Sequence, residues 1–195
     1  MAAPEFEIFW SDLTGSDMLA LGLFLAVAAA PYVVAWRQET SIALATVLSL
    51  LLVTFYQMII DFGLFDFTPM AFLTLIPAIA DHPDQVHRFF TSAWLHANWI
   101  HVLGNILVIA LAGVPLEQRM GRSRWIVIYF VGLLGGNISW VLTHPESYSP
   151  ALSASGAAFG ILGAYMACWP YDRIEFPLLF FIRAWPVWGI AAFRL

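Results

Sequence analysis

Five stretches of this chain run for about 20 residues almost without charge, the length of helix that crosses the hydrocarbon core of a bilayer. Met18–Trp36 and Ser41–Ile60 hold no charged residue. Ala97–Leu116 carries His101 and Asn105 as strongly polar groups within its apolar run, Trp125–Thr143 adds Asn137, and Ala151–Tyr171 is rich in small residues. Lipid offers no partner to a backbone amide, and an open sheet would leave its edges unpaired, so each stretch reads as a membrane-spanning helix. The chain is 61% hydrophobic and 11% charged, whereas soluble domains carry about 25% charged residues. A soluble globule is therefore excluded.

The remaining composition narrows the function. The net charge of −5 comes with eight Arg and no Lys, spread without a basic patch, which excludes nucleic acid as a partner. The lone Cys168 excludes an intrachain disulfide or a Cys-based metal site and reads as a packing residue. Residues before Met18 carry Glu5, Glu7, Asp12 and Asp17 and no Arg, unlike a cleavable signal. No repeat or linker divides the chain, which reads as one domain.

A sixth apolar stretch is interrupted. Phe176–Ile182 is followed by Arg183, and Ala184–Phe193 lies between Arg183 and Arg194. Those last ten residues rise only about 15 Å as a helix. Either Arg183 snorkels or pairs within a span, or Phe176–Ile182 is interfacial and the following helix is short; the second reading is preferred. If the five clear spans alternate, Arg37, Arg119, Arg122, Arg124 and Arg173 gather on one side, and Arg88 lies on the other. The Arg-rich side is expected to be cytoplasmic. The amino terminus and the loops Asp61–His96 and His144–Pro150 are then outside.

Two polar clusters meet at the outer side. His101 and Asn105 are four apart and share a helix face, and Ser153 and Ser155 open the fifth span. Gly156, Gly160 and Gly163 follow Ser155, and small residues let helices approach closely. The cluster reads either as a packing face or as a nucleophile with oxyanion donors: a serine needs a base in reach and N–H groups aimed at developing charge. His96 and His101 also admit a pigment, haem or ion site. No His-Glu-x-x-His motif or phosphate loop is present.

The stretch Phe89–Asn105, FFTSAWLHANWIHVLGN, resembles the rhomboid signature of two His and an Asn, here His96, His101 and Asn105. Glu117-Gln-Arg119-Met-Gly121 resembles the acidic–basic–Gly exit of that helix. Ser153-Ala-Ser155-Gly156-Ala-Ala-Phe159-Gly160 resembles the Gly-x-Ser-Gly start of the fourth core helix. The resemblance covers roughly His82 onward. It implies an all-α polytopic bundle with an additional N-terminal transmembrane helix in residues 1–40, a rhomboid-like core in residues 41–195, and an incomplete C-terminal end. It also implies an intramembrane serine protease that cleaves membrane-spanning substrates near the outer leaflet.

The same resemblance makes Ser155 the nucleophile and assigns the oxyanion site to His101, Asn105 and the Ser155 N–H. Gly156, Phe159, His96 and Arg88 support them. Phe159 matches an aromatic that packs on the catalytic His, and Arg88 an Arg that orders the preceding loop. Glu117 and Arg119 read as structural or as a solvated ion pair. No cofactor or metal is implied. The expected partners are the lipid bilayer and transmembrane substrates or membrane-complex subunits, and the Arg bias suits a bacterial inner membrane.

Two departures stand out. Ser153 replaces a Gly, and every histidine (His82, His87, His96, His101, His144) precedes Ser155, whereas the rhomboid base follows the nucleophile on a later helix. Three readings stay open: a chain continuing beyond Leu195, a non-proteolytic scaffold, or His101 or His96 standing in as base. The Phe62–Phe72 loop reads as interfacial or as packed on the bundle. Trp10, Trp36, Trp94, Trp99 and Trp125 are expected in aromatic belts.

Overall fold

Apolar length sets each helix, and local capping sets its ends. The computed structural model describes residues 10–60, 69–152, 154–174 and 185–186. Helix α1 (Gly15–Arg37) opens on a capping box between Thr14 and Asp17. Helix α2 (Ile42–Ile59) opens on Ser41, whose hydroxyl accepts from the Leu44 N–H. Helix α3 (Trp99–Met120) opens on Asn98. It turns through Gly121 into α4 (Arg122–Thr143). Gly121 has φ +83°, a left-handed conformation that glycine adopts without steric cost. Helix α5 spans Ser155–Cys168.

Helices α1 to α4 are long and apolar enough to cross a membrane. Their surfaces fit lipid solvent. Helix α1 buries one stripe, Ala20, Leu21, Phe24, Ala28, Pro31 and Ala35, and leaves Leu19, Leu25 and Val34 exposed. Helix α4 buries only Trp125, Tyr129 and Leu133. One core joins α2, α3, α4 and α5, and a second joins α1 to the C-terminal half of α2 and to Phe72, Leu73 and Leu95.

Lipid cannot drive helices together by hydrophobicity alone, so polar ties and close packing matter. The Ser49 and Tyr56 hydroxyls each donate to an α1 carbonyl, Ala28 and Ala20, at 2.7 Å. Glu117, buried on α3, accepts from the Ile42 and Ala43 N–H groups at 2.9 Å and from the Ser41 hydroxyl at 2.6 Å. A carboxylate there satisfies orphan amides at the positive end of α2. Glu117 is thus structural, and its basic neighbour is Arg122 at 3.8 Å, not Arg119. Arg119 pairs with Asp172 and lies over the Tyr165 and Trp169 rings. Within α3, Ile109–Gly113 widens into a π-turn just before Pro115. Proline clashes with the carbonyl four residues back in a regular helix, and the wider turn relieves that conflict at Leu111.

Helices α4 and α5 touch backbone to backbone. A Cβ added at Gly132 would lie 2.7 Å from the Gly156 oxygen and 2.9 Å from the Gly160 Cα, and one added at Gly160 would lie 2.8 Å from the Gly132 Cα. Gly132-x3-Gly136 therefore meets Gly156-x3-Gly160. Gly163, which the sequence places on the same face, has nothing within 4 Å.

Several other expectations shift. The fifth stretch forms a 14-residue helix in place of the full Ala151–Tyr171 span, because Ala151 pairs with Leu75 through both backbone hydrogen bonds. Trp125 is a core residue, not a belt residue, and Cys168 is exposed. The described end of the aromatic loop is buried from Ala71 through Ile76. Arg173–Ile174 pairs with Trp185–Pro186 as two short antiparallel strands; the rest of the sixth apolar stretch, Ser153 and residues 61–68 lie outside the described residues.

Gly132→Ala should cost about 1–3 kcal/mol by overpacking. Gly163→Ala should be neutral or stabilise by up to about 1 kcal/mol through helix propensity. Thermal unfolding of the two variants in one detergent checks the contrast.

Candidate functional site

The sequence between Trp94 and Asn105 builds a polar cluster where α3 begins. Asn98 takes an extended backbone and caps the helix, its side-chain oxygen accepting from the His101 N–H at 2.9 Å. His101 and Asn105 then follow one turn apart on the same face. His96 precedes the cap, in the extended connection after Trp94, so it is not on the helix at all. Gln57 near the end of α2 grips this connection: it donates to the His96 carbonyl and accepts from the His96 N–H, each at 3.4 Å.

The His96 ring folds back onto α3. Its Nδ1 lies 3.3 Å from the Trp94 carbonyl and its Nε2 lies 3.0 Å from Asn105 Nδ2. A carbonyl only accepts, so Nδ1 carries the proton and Nε2 accepts from the Asn105 amide. The edge of His101 meets His96 with ring centroids 5.4 Å apart. His96 and Asn105 are buried, and His101 is half-buried. Burial, followed by the neighbouring His101, pushes the His96 pKa down to about 4, against a smaller opposing pull from the Trp94 carbonyl. His96 is therefore neutral at neutral pH. Both of its ring nitrogens already face protein partners, which leaves no lone pair for a haem, pigment or metal.

Asn105 uses one amide hydrogen on His96, and its Oδ1 has no hydrogen-bond partner among the described residues. The second amide hydrogen is not consumed by His96. A buried carboxamide so fixed is a preorganised donor, the chemistry an oxyanion requires.

Ser155 is the first residue of α5 and is half-buried. Ala154 before it is fully buried, and Gly156 after it lies against Gly132 and Gly136. Val102 of α3 shares a core with Ala154, Ala157 and Ala158, so the helices carrying the two polar clusters pack together. Phe159 is 48% exposed.

Arg88 is wholly buried and holds the preceding loop. It donates to the Ala71 and Thr74 carbonyls at 2.8 and 2.9 Å, bonds Gln85, and lies over the Phe72 ring. Asn137 of α4 donates to the Phe89 carbonyl at 2.7 Å. Gln57, Asn98 and the Gly132–Gly136 pair escaped the sequence reading. Gln57 had a signal, being the lone amide in an apolar span, as did the Gly-x-x-x-Gly spacing of α4.

An all-helical membrane bundle with a serine at one helix start, and His101 and Asn105 on the adjoining helix met by His96 from the connection before it, defines a class of polytopic protein. The family model for the Rhomboid domain matches residues 83–193, more than half of the chain, and the chain belongs to the rhomboid family. It is 40% identical over 86 residues to RHOMBOID-like protein 1 of Arabidopsis thaliana, covering 44% of this chain and 22% of that one. It is 35% identical over 83 residues to Rhomboid-like protease 3 of Toxoplasma gondii, covering 43% and 31%. It is 32% identical over 83 residues to Inactive RHOMBOID-like protein 8 of Arabidopsis thaliana, covering 43% and 23%. The matched region thus spans less than a third of each of these relatives. No solved structure matches.

The depressed pKa of His96 fixes a pH dependence. The unfolded chain binds the proton near pH 6.5 and the folded chain only near 4, so stability is present above 6.5 and falls as pH drops toward 4. Melting temperatures from pH 7 to 4 should fall less steeply in His96→Gln than in wild type; His87 is common to both proteins and cancels.

Proposed function

We propose that this protein is an intramembrane serine endopeptidase that cleaves membrane-spanning substrates near the outer leaflet. Ser155 attacks the scissile carbonyl, while His101, Asn105 and the Ser155 N–H receive the oxyanion. The observation that carries the reading is Asn105: buried, oriented by neutral His96, and keeping an amide hydrogen not used by that bond. The brevity of α5 supports it. Fourteen residues rise about 21 Å against a hydrocarbon core of about 30 Å, so a helix reaching the Arg-rich face leaves its first residue below the opposite one. Arg88 and Gln57 act as positioning residues for the loop and the His96 connection.

The Arg-rich face lies toward the cytoplasm in this reading, with Ser155 on the other side. The assignment to a bacterial inner membrane rests on the Arg bias alone. His96 Nε2 accepts from Asn105 and His101 is assigned here to the oxyanion, so in this reading a further imidazole takes the Ser155 proton and returns it to the leaving amine. One relative is named inactive, which favours a second reading, a rhomboid-like scaffold that binds membrane partners without cleaving them.

A fluorophosphonate probe separates the two. Protein of verified full length should be labelled in wild type and not in Ser155→Ala, and Asn105→Ala should slow labelling about 10²–10³-fold, the usual loss for one oxyanion donor. Absence of wild-type labelling would make the scaffold the better account.

A further inference from the structure

We infer that a groove bounded by α1, α2 and α4 holds an acyl chain of one anionic phospholipid, with its phosphate against Arg37 and Arg122. The groove has two chambers, of about 330 Å³ and 230 Å³, which share Tyr32 and Trp94 as walls. The larger begins at Trp36, Ile42 and Ile126, and the smaller continues to Phe24 and Leu25. From Trp36 to Phe24 is twelve residues of α1, about 18 Å of helix. That is close to one leaflet's share, about 15 Å, of the hydrocarbon core.

The walls select for a hydrocarbon. Small-molecule sites orient their ligands with a few convergent polar groups. Here the Thr46 hydroxyl is spent on the Ile42 carbonyl at 2.9 Å and the Trp94 indole N–H on Ser49 at 2.9 Å. The Trp125 indole N–H and the Tyr129 hydroxyl in the wall of the larger chamber are buried and bond nothing among the described residues, so the surface the walls present is almost wholly ring and methyl carbon.

The mouth selects the headgroup. Its lining residues Trp36, Ile42 and Ile126 lie where α1 ends and near the starts of α2 and α4, next in sequence to Arg37 and one turn from Arg122. Arg37 is exposed, and no hydrogen bond or ion pair holds it among the described residues. Arg122 precedes Ile126 by one turn, donates to the Thr40 carbonyl at 2.8 Å, and approaches Glu117 at 3.8 Å. A guanidinium has five N–H donors, more than those contacts use. Basic pockets between transmembrane helices bind anionic headgroups. The groove involves none of the groups assigned to the serine chemistry, so it goes beyond the protease reading.

Native mass spectrometry of the protein from bilayers of equal phosphatidylglycerol and phosphatidylcholine, with matched acyl chains, tests this. One phosphatidylglycerol should be retained in preference. Arg37→Gln and Arg122→Gln should each lower its retention roughly fivefold. Ile126→Trp, which fills the larger chamber and leaves both Arg residues, should lower it as much, and Ser155→Ala should leave it unchanged. Equal retention of the two lipids overturns the inference. So does retention that falls in the Arg variants but survives Ile126→Trp, which would mark binding by surface charge alone. Arg37→Gln disturbs no internal contact seen here and decides the charge question if Arg122→Gln unfolds.

Discussion

The contact between Gly132 and the Gly156–Gly160 pair is the constraint on which the arrangement rests. In lipid, two helices gain little from hiding apolar side chains, because lipid tails are equally apolar. What holds them is close contact, and four glycines let the backbones of α4 and α5 meet. That contact fixes the depth and direction of the helix start that carries Ser155. A single methyl group at Gly132 would meet backbone atoms of α5, which cannot rotate out of the way as a side chain can.

Polar groups complete what the glycines begin. Three of them tie backbone in a connecting segment: Arg88 the carbonyls of Ala71 and Thr74, Gln57 the backbone of His96, Asn137 the carbonyl of Phe89. In a medium without water, an irregular segment persists only if protein groups satisfy its amides and carbonyls. The connection between α2 and α3 is such a segment, and it delivers His96 to Asn105.

Much of this was legible in the sequence, because membrane solvent writes its demands plainly. Uncharged runs located α1 to α4, and the family motifs picked out His96, His101, Asn105 and Ser155. Individual partners were less visible. Glu117 reads naturally with Arg119 two residues on, but two residues apart point to different helix faces, and its true partners are the first amides of α2, some 75 positions earlier. Helix α5 starts later than hydropathy indicates, since hydropathy cannot register the Leu75–Ala151 pairing that holds Ala151 in a β-bridge. The contact between His96 and Asn105 is invisible in the sequence because nothing local reveals that the chain turns at Asn98 and folds the ring back.

The widened turn at Ile109–Gly113 has a consequence for how one rod serves two ends of the bundle. In an unbroken α-helix, Asn105 and Glu117 would project about 120° apart, given roughly 100° per residue. A π-turn takes up about one extra residue, which sets the azimuth of everything after it back by a similar angle. The two buried polar side chains are thereby brought nearly into phase, one addressing the His96 connection and the other the first turn of α2. The irregularity acts as a clutch between two halves of a single helix. Removing one residue from it would leave the hydropathy of the span intact while turning one of its polar ends toward lipid.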